Sequence, residues 1–466
     1  MNFMIAFGLA SIMLCLGVIG RAKIPFFKNM LVPASVIGGI LGIVVMNVGM
    51  DSVSDPGVFT TIVTHLFTLS FISIGLTNVR KSKESKGSKG KEIAKGALGM
   101  GILWTLLYAL TPAVGIVIIL AIGGQFNMDP FYGLLIPFAF TQGPGQAATF
   151  GTIFEQQYGI ENAAMVGMTF AAIGFIFCFL VGVPLAKYGL KKGLAKNFGQ
   201  AKIDQAVERG YYVKSEQEKS LGKETIYSGN MDTMTFHFAI MGVCYIMALG
   251  LSWLMSFVPG IGASMSAMLF VHGLVAAYIV KAMMKKLGID YLLNNTFQSK
   301  ITGWATDYLI VCSFMAVQFS IIGEWLIPIL IESIIITVVT VLVVVYFGQR
   351  LGGEDDFGRT LGLFGAATAT TPSGIALVRM IDPSLKSATP VELGMMNVFM
   401  TFSFVTVLTI MGIGGGTLSM TIGILLLIAP IPVYLIILKI FKVWGKKTYQ
   451  FNTKVEPVLE KKKSAV

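Results

Sequence analysis

"AFTQGPGQAATFG", Ala139 to Gly151, lies in a run apolar enough to sit in a bilayer, yet it sets a proline between two glycines and surrounds them with two glutamines and two threonines. A lipid-facing spanning helix cannot accommodate such a segment. Proline and glycine interrupt the hydrogen-bond ladder, and each backbone group left unpaired in hydrocarbon costs of order several kcal/mol. The stretch must therefore be buried in protein or line a wet cavity.

Composition sets the frame around it. The chain is 55% hydrophobic and only 13% charged, with a mean hydropathy of +0.76, whereas soluble domains are roughly one-quarter charged. This is an all-α, polytopic membrane protein. Cys15, Cys178, Cys244 and Cys312 stand singly in apolar segments, without the spacings of a zinc site or a disulfide framework, and read as packing residues. His65, His237 and His272 are equally isolated, so a metal centre has little support.

Windows of about twenty apolar residues place spans at 3–20, 30–49, 58–78, 94–122 and 161–186, and again at 233–257, 262–280, 304–322, 325–347, 391–411 and 416–440. That makes about eleven transmembrane helices. The first is not a signal peptide, because Arg21 and Lys23 follow the apolar run rather than precede it. With these spans all 35 Lys and Arg residues fall on one side of the membrane, and the loops at 50–57, 123–130, 157–160, 258–261 and 412–415 carry none. Positive-inside reasoning puts the basic side in the cytoplasm and the N-terminus outside. The net charge of +11 is thus accounted for by topology and anionic lipid, and no nucleic-acid partner is needed. The expected organisation is an N-terminal transmembrane repeat (1–186), a cytoplasmic linker (187–232), a second repeat (233–411), an extra helix (412–440) and a basic cytoplasmic tail (441–466).

Two apolar segments, 131–156 and 355–385, are broken rather than continuous. The topology makes both re-entrant, the first dipping in from outside and the second from the cytoplasm, each long enough for two half-helices of about 15 Å. The halves also echo one another: "TLSFISIGL" (68–76) with "VCSFMAVQF" (311–319), "VGMTF" (166–170) with "LGMMN" (393–397), and "TQGPGQAA" (141–148) with "ATTPSGIA" (369–376). Five spans plus a re-entrant hairpin, repeated in opposite orientation, is the inverted repeat of secondary transporters.

Such hairpin tips supply binding groups. Half-helix N-termini offer bare N–H groups to a carboxylate, while unwound carbonyls and hydroxyls suit sodium. Gly143 and Gly145 around Pro144 permit close backbone approach, with Gln142, Gln146, Thr141 and Thr149 beside them. In the second hairpin Thr368, Thr370, Thr371, Ser373 and Gly374 form the tip, followed by Arg379 and Asp382. Arg379 and Asp382, at i and i+3, either form a structural pair or leave the guanidinium for a substrate carboxylate. Ser73, Ser313 and Asn397 are further candidates to ligate sodium, together with Thr141, Thr368 and Asp382. Glu332, inside "ILIESIII", supports a functional and a structural reading alike. "QRLGGEDDFGR" (349–359) reads as a solvated cytoplasmic turn. A channel would also use paired re-entrant hairpins. An enzyme is the weakest class, since no HExxH, GxSxG or P-loop motif is present, and without a P-loop the energy must come from an ion gradient.

The residues resemble those of the bacterial sodium:glutamate symporters. "LVPASVIGGILG" (31–42) is similar to that family's second helix, "SFISIGL" (70–76) to its third, "QGPGQAATFGTIFEQQYGIENA" (142–163) to its first re-entrant loop and the following helix, and "FGAATATTPSGIALVRMIDPS" (364–384) to its second loop. The resemblance implies sodium as coupling ion, glutamate or another small carboxylate as substrate, no organic cofactor, and two inverted five-helix repeats moving as an elevator in a homodimer.

The topology is testable in a cysteine-free background. Single cysteines at Ser54, Asn127 and Gly414 should react with an impermeant thiol reagent outside intact cells, and cysteines at Ser88 and Ser215 should not; external labelling at position 88 would overturn the span assignment.

Overall fold

The computed structural model describes residues 3–48, 56–77, 88–194, 213, 224–227, 229–258, 262–382, 385 and 387–451. Most of the linker expected at 187–232, and the tail beyond 451, lie outside the described residues. Within them the chain is helical, with no strand.

The first packed group contains α1 (Phe3–Lys23), α2 (Ala34–Val48) and α3 (Pro56–Leu76), with α8 (Thr233–Ser256), α9 (Leu269–Lys286) and α10 (Asn295–Met315). Small residues set the approach between these helices, since lipid tails offer no hydrophobic reason for helices to associate. A Cβ on Gly17 of α1 would lie 2.1 Å from Ala34 O, and one on Gly38 of α2 2.4 Å from Met13 O, so the two backbones touch at a glycine pair. The packing is reciprocal. α2 lies on α10 through Gly39 against Phe314, α9 lies on α3 through Ala277 against Gly75, and α3 packs on α10.

The second group is built around α4 (Ser88–Ile122), α7 (Ala163–Lys191) and α11 (Leu326–Gly348). It includes α14 (Thr389–Met396), α15 (Phe404–Gly414), α16 (Met420–Ile428) and α17 (Pro430–Ile440). Between these run two interrupted segments. The first is α5 (Ile136–Phe140), a break, then α6 (Pro144–Tyr158); the second is α12 (Asp356–Thr368), a break, then α13 (Thr371–Ile381). Each folds back on itself. In the first, Phe138 stacks on Phe150 with ring centres 4.2 Å apart, and Phe131 meets Phe154 edge-on. In the second, a Cβ on Gly365 would lie 2.6 Å from Gly374 Cα, so the two arms cross at bare backbone.

Among the described residues, seven helices are long and apolar enough to cross a membrane, or eight if the bent pair around residues 400–403 counts as one span. The hydropathy windows predict about eleven, and the difference has local causes. α2 begins only after Pro33 and has 15 residues, about 22 Å, short of a hydrocarbon core of about 30 Å. α9 ends in Lys285 and Lys286, and α10 carries Lys300 and Asp307 and stops at Met315.

One expectation is corrected in part. In the "QRLGGEDDFGR" stretch Gly352 and Glu354 are exposed in a turn, but Asp356 and Arg359 belong to the start of α12 and are 1% and 2% exposed. Arg359 donates from Nε and Nη2 to the two carboxylate oxygens of Glu392, at 2.8 and 2.6 Å, and from Nη1 to Asp356 at 2.8 Å. Asp356 also accepts from the amides of Gly352 and Gly353 and from the Thr448 hydroxyl. The planar fork suits this two-oxygen contact, and the extra donors complete the carboxylates, as burial of charge requires. Glu392→Ala would leave Nε and Nη2 of Arg359 buried without their acceptor, with Nη1 still on Asp356. It should lower the stability of the detergent-solubilised protein by about 3–5 kcal/mol in thermal unfolding, whereas Lys446→Ala, at an exposed position, should change it by less than about 0.5 kcal/mol.

Candidate functional site

The two breaks meet. A Cβ on Gly143 would lie 2.7 Å from Thr370 Cγ2 and 3.1 Å from Ala369 O, so the tip of one hairpin rests on the tip of the other. Gly143 adopts φ +81°, a left-handed conformation that glycine alone takes without strain. It is the N-cap of α6, and Pro144 follows in the first helical turn, where its missing N–H is no loss. Across the contact, Thr370 is the N-cap of α13, with Pro372 in the first turn and the Thr370 hydroxyl accepting from Ser373 N at 3.4 Å. Two half-helices therefore begin at one point. By position the amides of Gly145, Gln146 and Thr371 have no intrahelical acceptor, and both helix dipoles put their positive ends here.

Side chains around the contact divide into those held in place and those left available. Trp104 Nε1 donates to Thr141 O at 3.2 Å, and Tyr108 donates to Gln146 Oε1 at 3.1 Å, so α4 fixes the first tip. The hydroxyls of Thr141, Thr149 and Thr368 each donate to the carbonyl one turn back, at Pro137, Gly145 and Phe364. Their oxygen lone pairs remain for a cation. Gln142 is half-buried with a buried Nε2 that has no hydrogen-bond partner. On the second tip Thr370 and Ser373 share a 3.0 Å hydrogen bond, and Thr371 donates to Asn397 Oδ1 at 3.3 Å. Thr370 and Thr371 are half-buried while Pro372 and Asn397 are exposed, so the contact is reached from this side.

Several sequence candidates lie in other surroundings. A Cβ on Gly145 would meet the Phe67 ring of α3 at 2.1 Å, and one on Gly374 would meet Gly362 O at 2.3 Å; both glycines serve close protein packing. Ser73 donates to Gln298 of α10 and accepts from Thr302. Ser313 donates to Ile310 O of its own helix. Arg379 is exposed in the last turn of α13, about 10 Å along the helix from the proline. Asp382 is buried and accepts from Ser387 N at 2.7 Å. Sequence reading missed Ala369 O, which is apolar by residue name and polar only through its backbone, and Trp104 and Tyr108, whose spacing of four in an apolar helix looks like core packing.

The family model described as "Sodium/glutamate symporter" matches residues 1–384. Curated proteins named "Sodium/glutamate symporter" include one from Escherichia coli (strain K12), 26% identical over 178 residues, or 38% of this chain and 41% of that protein. Another, from Haemophilus influenzae, is 28% identical over 191 residues, 40% of this chain and 43% of that protein. The matched region thus spans less than half the length of these relatives. A solved sodium proton antiporter from Methanocaldococcus jannaschii aligns with a TM-score of 0.36 and 15% identity, over 86% of this chain and 97% of that one.

The tip contact predicts a steep response to side-chain bulk. Gly143→Val adds a β-branched residue at positive φ against Thr370, and should abolish transport in reconstituted vesicles while the protein still inserts. Gly124→Val, where a Cβ meets nothing within 4 Å, should leave transport near wild type; full activity of Gly143→Val would show the contact to be dispensable.

Proposed function

The chain belongs to the sodium/glutamate symporter family, and from that premise we propose that it takes up glutamate, or another small carboxylate, together with sodium across the bacterial cytoplasmic membrane. The observation that carries the reading is the convergence of two half-helix N-termini at the Gly143–Thr370 contact. A carboxylate placed there meets bare amides of Gly145, Gln146 and Thr371, two positive dipole ends and the Gln142 amide, without any full positive charge that would hold it too tightly to release. Sodium takes oxygen: the Ala369 carbonyl and the Thr141 and Thr368 hydroxyls stand on the same two tips, with Asn397 and Ser373 beside them.

Alternating access follows from how the tips are mounted. α7 runs beside both hairpins, with Gly174 against Thr368 O, Gly182 against Leu377 and Gly167 against Ala147, so hairpins and α7 move together. Their neighbour on the other side is the group of α1 to α3 and α8 to α10, met at Phe67. The reciprocal packing of α2 on α10 and α9 on α3 supports an inverted repeat, and with it an elevator-like displacement of the hairpin group against the α1–α3 and α8–α10 group. The arrangement asks for no catalytic group and no organic cofactor; a homodimer, with the N-terminus outside, completes the reading.

The test is counterflow in proteoliposomes against a panel of amino acids and dicarboxylates, with and without a sodium gradient. Saturable accumulation of an acidic substrate that collapses when sodium is removed is expected. Flux that follows the gradient without saturation would favour a channel, and accumulation indifferent to sodium would end the sodium-coupled reading.

A further inference from the structure

Glu332 lies six residues into α11, about 9 Å from the outer end of that helix. It is 0% exposed, and neither carboxylate oxygen has a hydrogen-bond partner. The carboxyl faces a gap between glycines. A Cβ on Gly115 of α4 would lie 2.3 Å from Glu332 Oε1 and also 2.3 Å from the carbonyl oxygen of Gly133. Those two oxygens therefore flank one point, at most twice 2.3 Å apart. A Cβ on Gly133 would in turn lie 2.6 Å from Gly115 C and O, so the two backbones touch beside the acid. Thr111 Oγ1, one turn before Gly115 on the same face of α4, and Ser333 Oγ are likewise buried without partners. Pro112 cannot donate to the carbonyl of Tyr108, which removes one hydrogen bond from the ladder of α4 at this level.

Among the described residues no positive charge is at hand to balance an ionised acid. On α11 itself the remaining titratable group is Tyr346, about 21 Å further along. On α4 there is Tyr108, bonded to Gln146, and the basic residues Lys91 and Lys95 with Glu92 are at least about 30 Å away along the helix. The segment before the first hairpin brings Tyr132, whose hydroxyl donates to Glu161 O, and Asp129, which accepts from Phe131 N. α7 brings Cys178, whose thiol contacts Gly365 O, and Lys187, Tyr188 and Lys191 near its cytoplasmic end. α12 brings Asp356 and Arg359, committed to each other and to Glu392. The Glu324 side chain lies outside the described residues. An ionised carboxylate in this setting would carry a desolvation cost of order tens of kcal/mol, whereas a neutral carboxyl has an O–H to offer and a carbonyl beside it.

We propose that Glu332 is a proton-binding site, separate from the hairpin-tip site, whose proton is exchanged with water during the transport cycle. This rests on the transport reading above. Gly133 lies ten residues before Gly143 in the chain that enters the first hairpin, whereas Glu332 belongs to the helix that leads to the second. A displacement of the first hairpin along α11 carries away the carbonyl beside the acid and opens the glycine seam to water. The O–H bond of the carboxyl then breaks, its electron pair stays on the carboxylate and the proton passes to water; the reverse transfer occurs when the seam closes.

The test uses the full chain in proteoliposomes, with two readouts on the wild type. Dicyclohexylcarbodiimide adds to protonated carboxyls in apolar surroundings. The peptide containing Glu332 should acquire the N-acylurea mass, lose it progressively as pH is raised, and show no protection by sodium at constant pH; E332Q should lose the label. A lumenal pH dye should report proton movement accompanying sodium-driven uptake, and E332Q should lose that movement. Protection by sodium at constant pH would make this a metal-ion site and overturn the proposal, as would wild-type uptake with no lumenal pH change. Absence of any sodium-driven uptake would remove the transport reading and with it the proposed exchange, while Glu332 labelling would report separately whether the group binds a proton.

Discussion

A helix break in hydrocarbon leaves backbone groups that lipid cannot satisfy, and this chain shields its two breaks by placing them against each other. Gly143 at positive φ brings its backbone onto Thr370 and Ala369, which the side chain of any other residue would prevent. Once the tips touch, the rest of the second helical group is constrained. α7 must lie close to both hairpins, which its glycines at positions 167, 174 and 182 allow, and α4 must present Trp104 and Tyr108 to hold the first tip. The amides without an intrahelical acceptor follow from the same geometry, because they lie at the N-termini of α6 and α13, which a broken helix leaves exposed.

The two hairpins are anchored by different forces. The first is closed by aromatic stacking between its arms, through Phe138, Phe150, Phe131 and Phe154, and its base is in contact with the Gly115 seam of α4. The second is held at its base by a buried ion cluster, where Arg359 joins the start of α12 to Glu392 of α14. The chain beyond α17 returns to this cluster: Thr448 donates to Asp356, and Tyr449 shares a 2.6 Å hydrogen bond with Thr360 and meets Phe357 edge-on.

Both breaks were legible in the sequence, because glycine, proline and amide side chains clustered inside an apolar run are too costly to face lipid as a continuous helix. Their contact with each other was not, since it is made by a missing side chain on Gly143 and a carbonyl on Ala369. The same limit applies to Gly145 and Gly374, which look like ligand-approach positions yet face Phe67 and Gly362. The stretch holding Asp356 and Arg359 reads as a solvated turn, and the burial of these two was not legible, because Glu392, which closes the cluster, is 33 residues further along the chain. Span counting by hydropathy merged short helices with the loops that terminate them at Pro33 and after Met315, so it overcounted helices that reach across a membrane on their own.

Glu332 and Glu392 set the two ways of burying an acid side by side. Both are 0% exposed. Glu392 faces a guanidinium whose two nitrogens match its two oxygens, so a counter-charge is fixed in one place by the helix that carries Arg359. Glu332 lies beside two glycine backbones, and neither of its oxygens has a hydrogen-bond partner among the described residues, so a proton is the positive charge that the proposal gives it. A fixed counter-charge stabilises one arrangement of helices; a mobile one permits two, because it can leave when the surroundings become wet. The fixed pair stands at the second hairpin, and the unpaired acid beside the first, at a seam where glycine meets glycine without interlocking side chains.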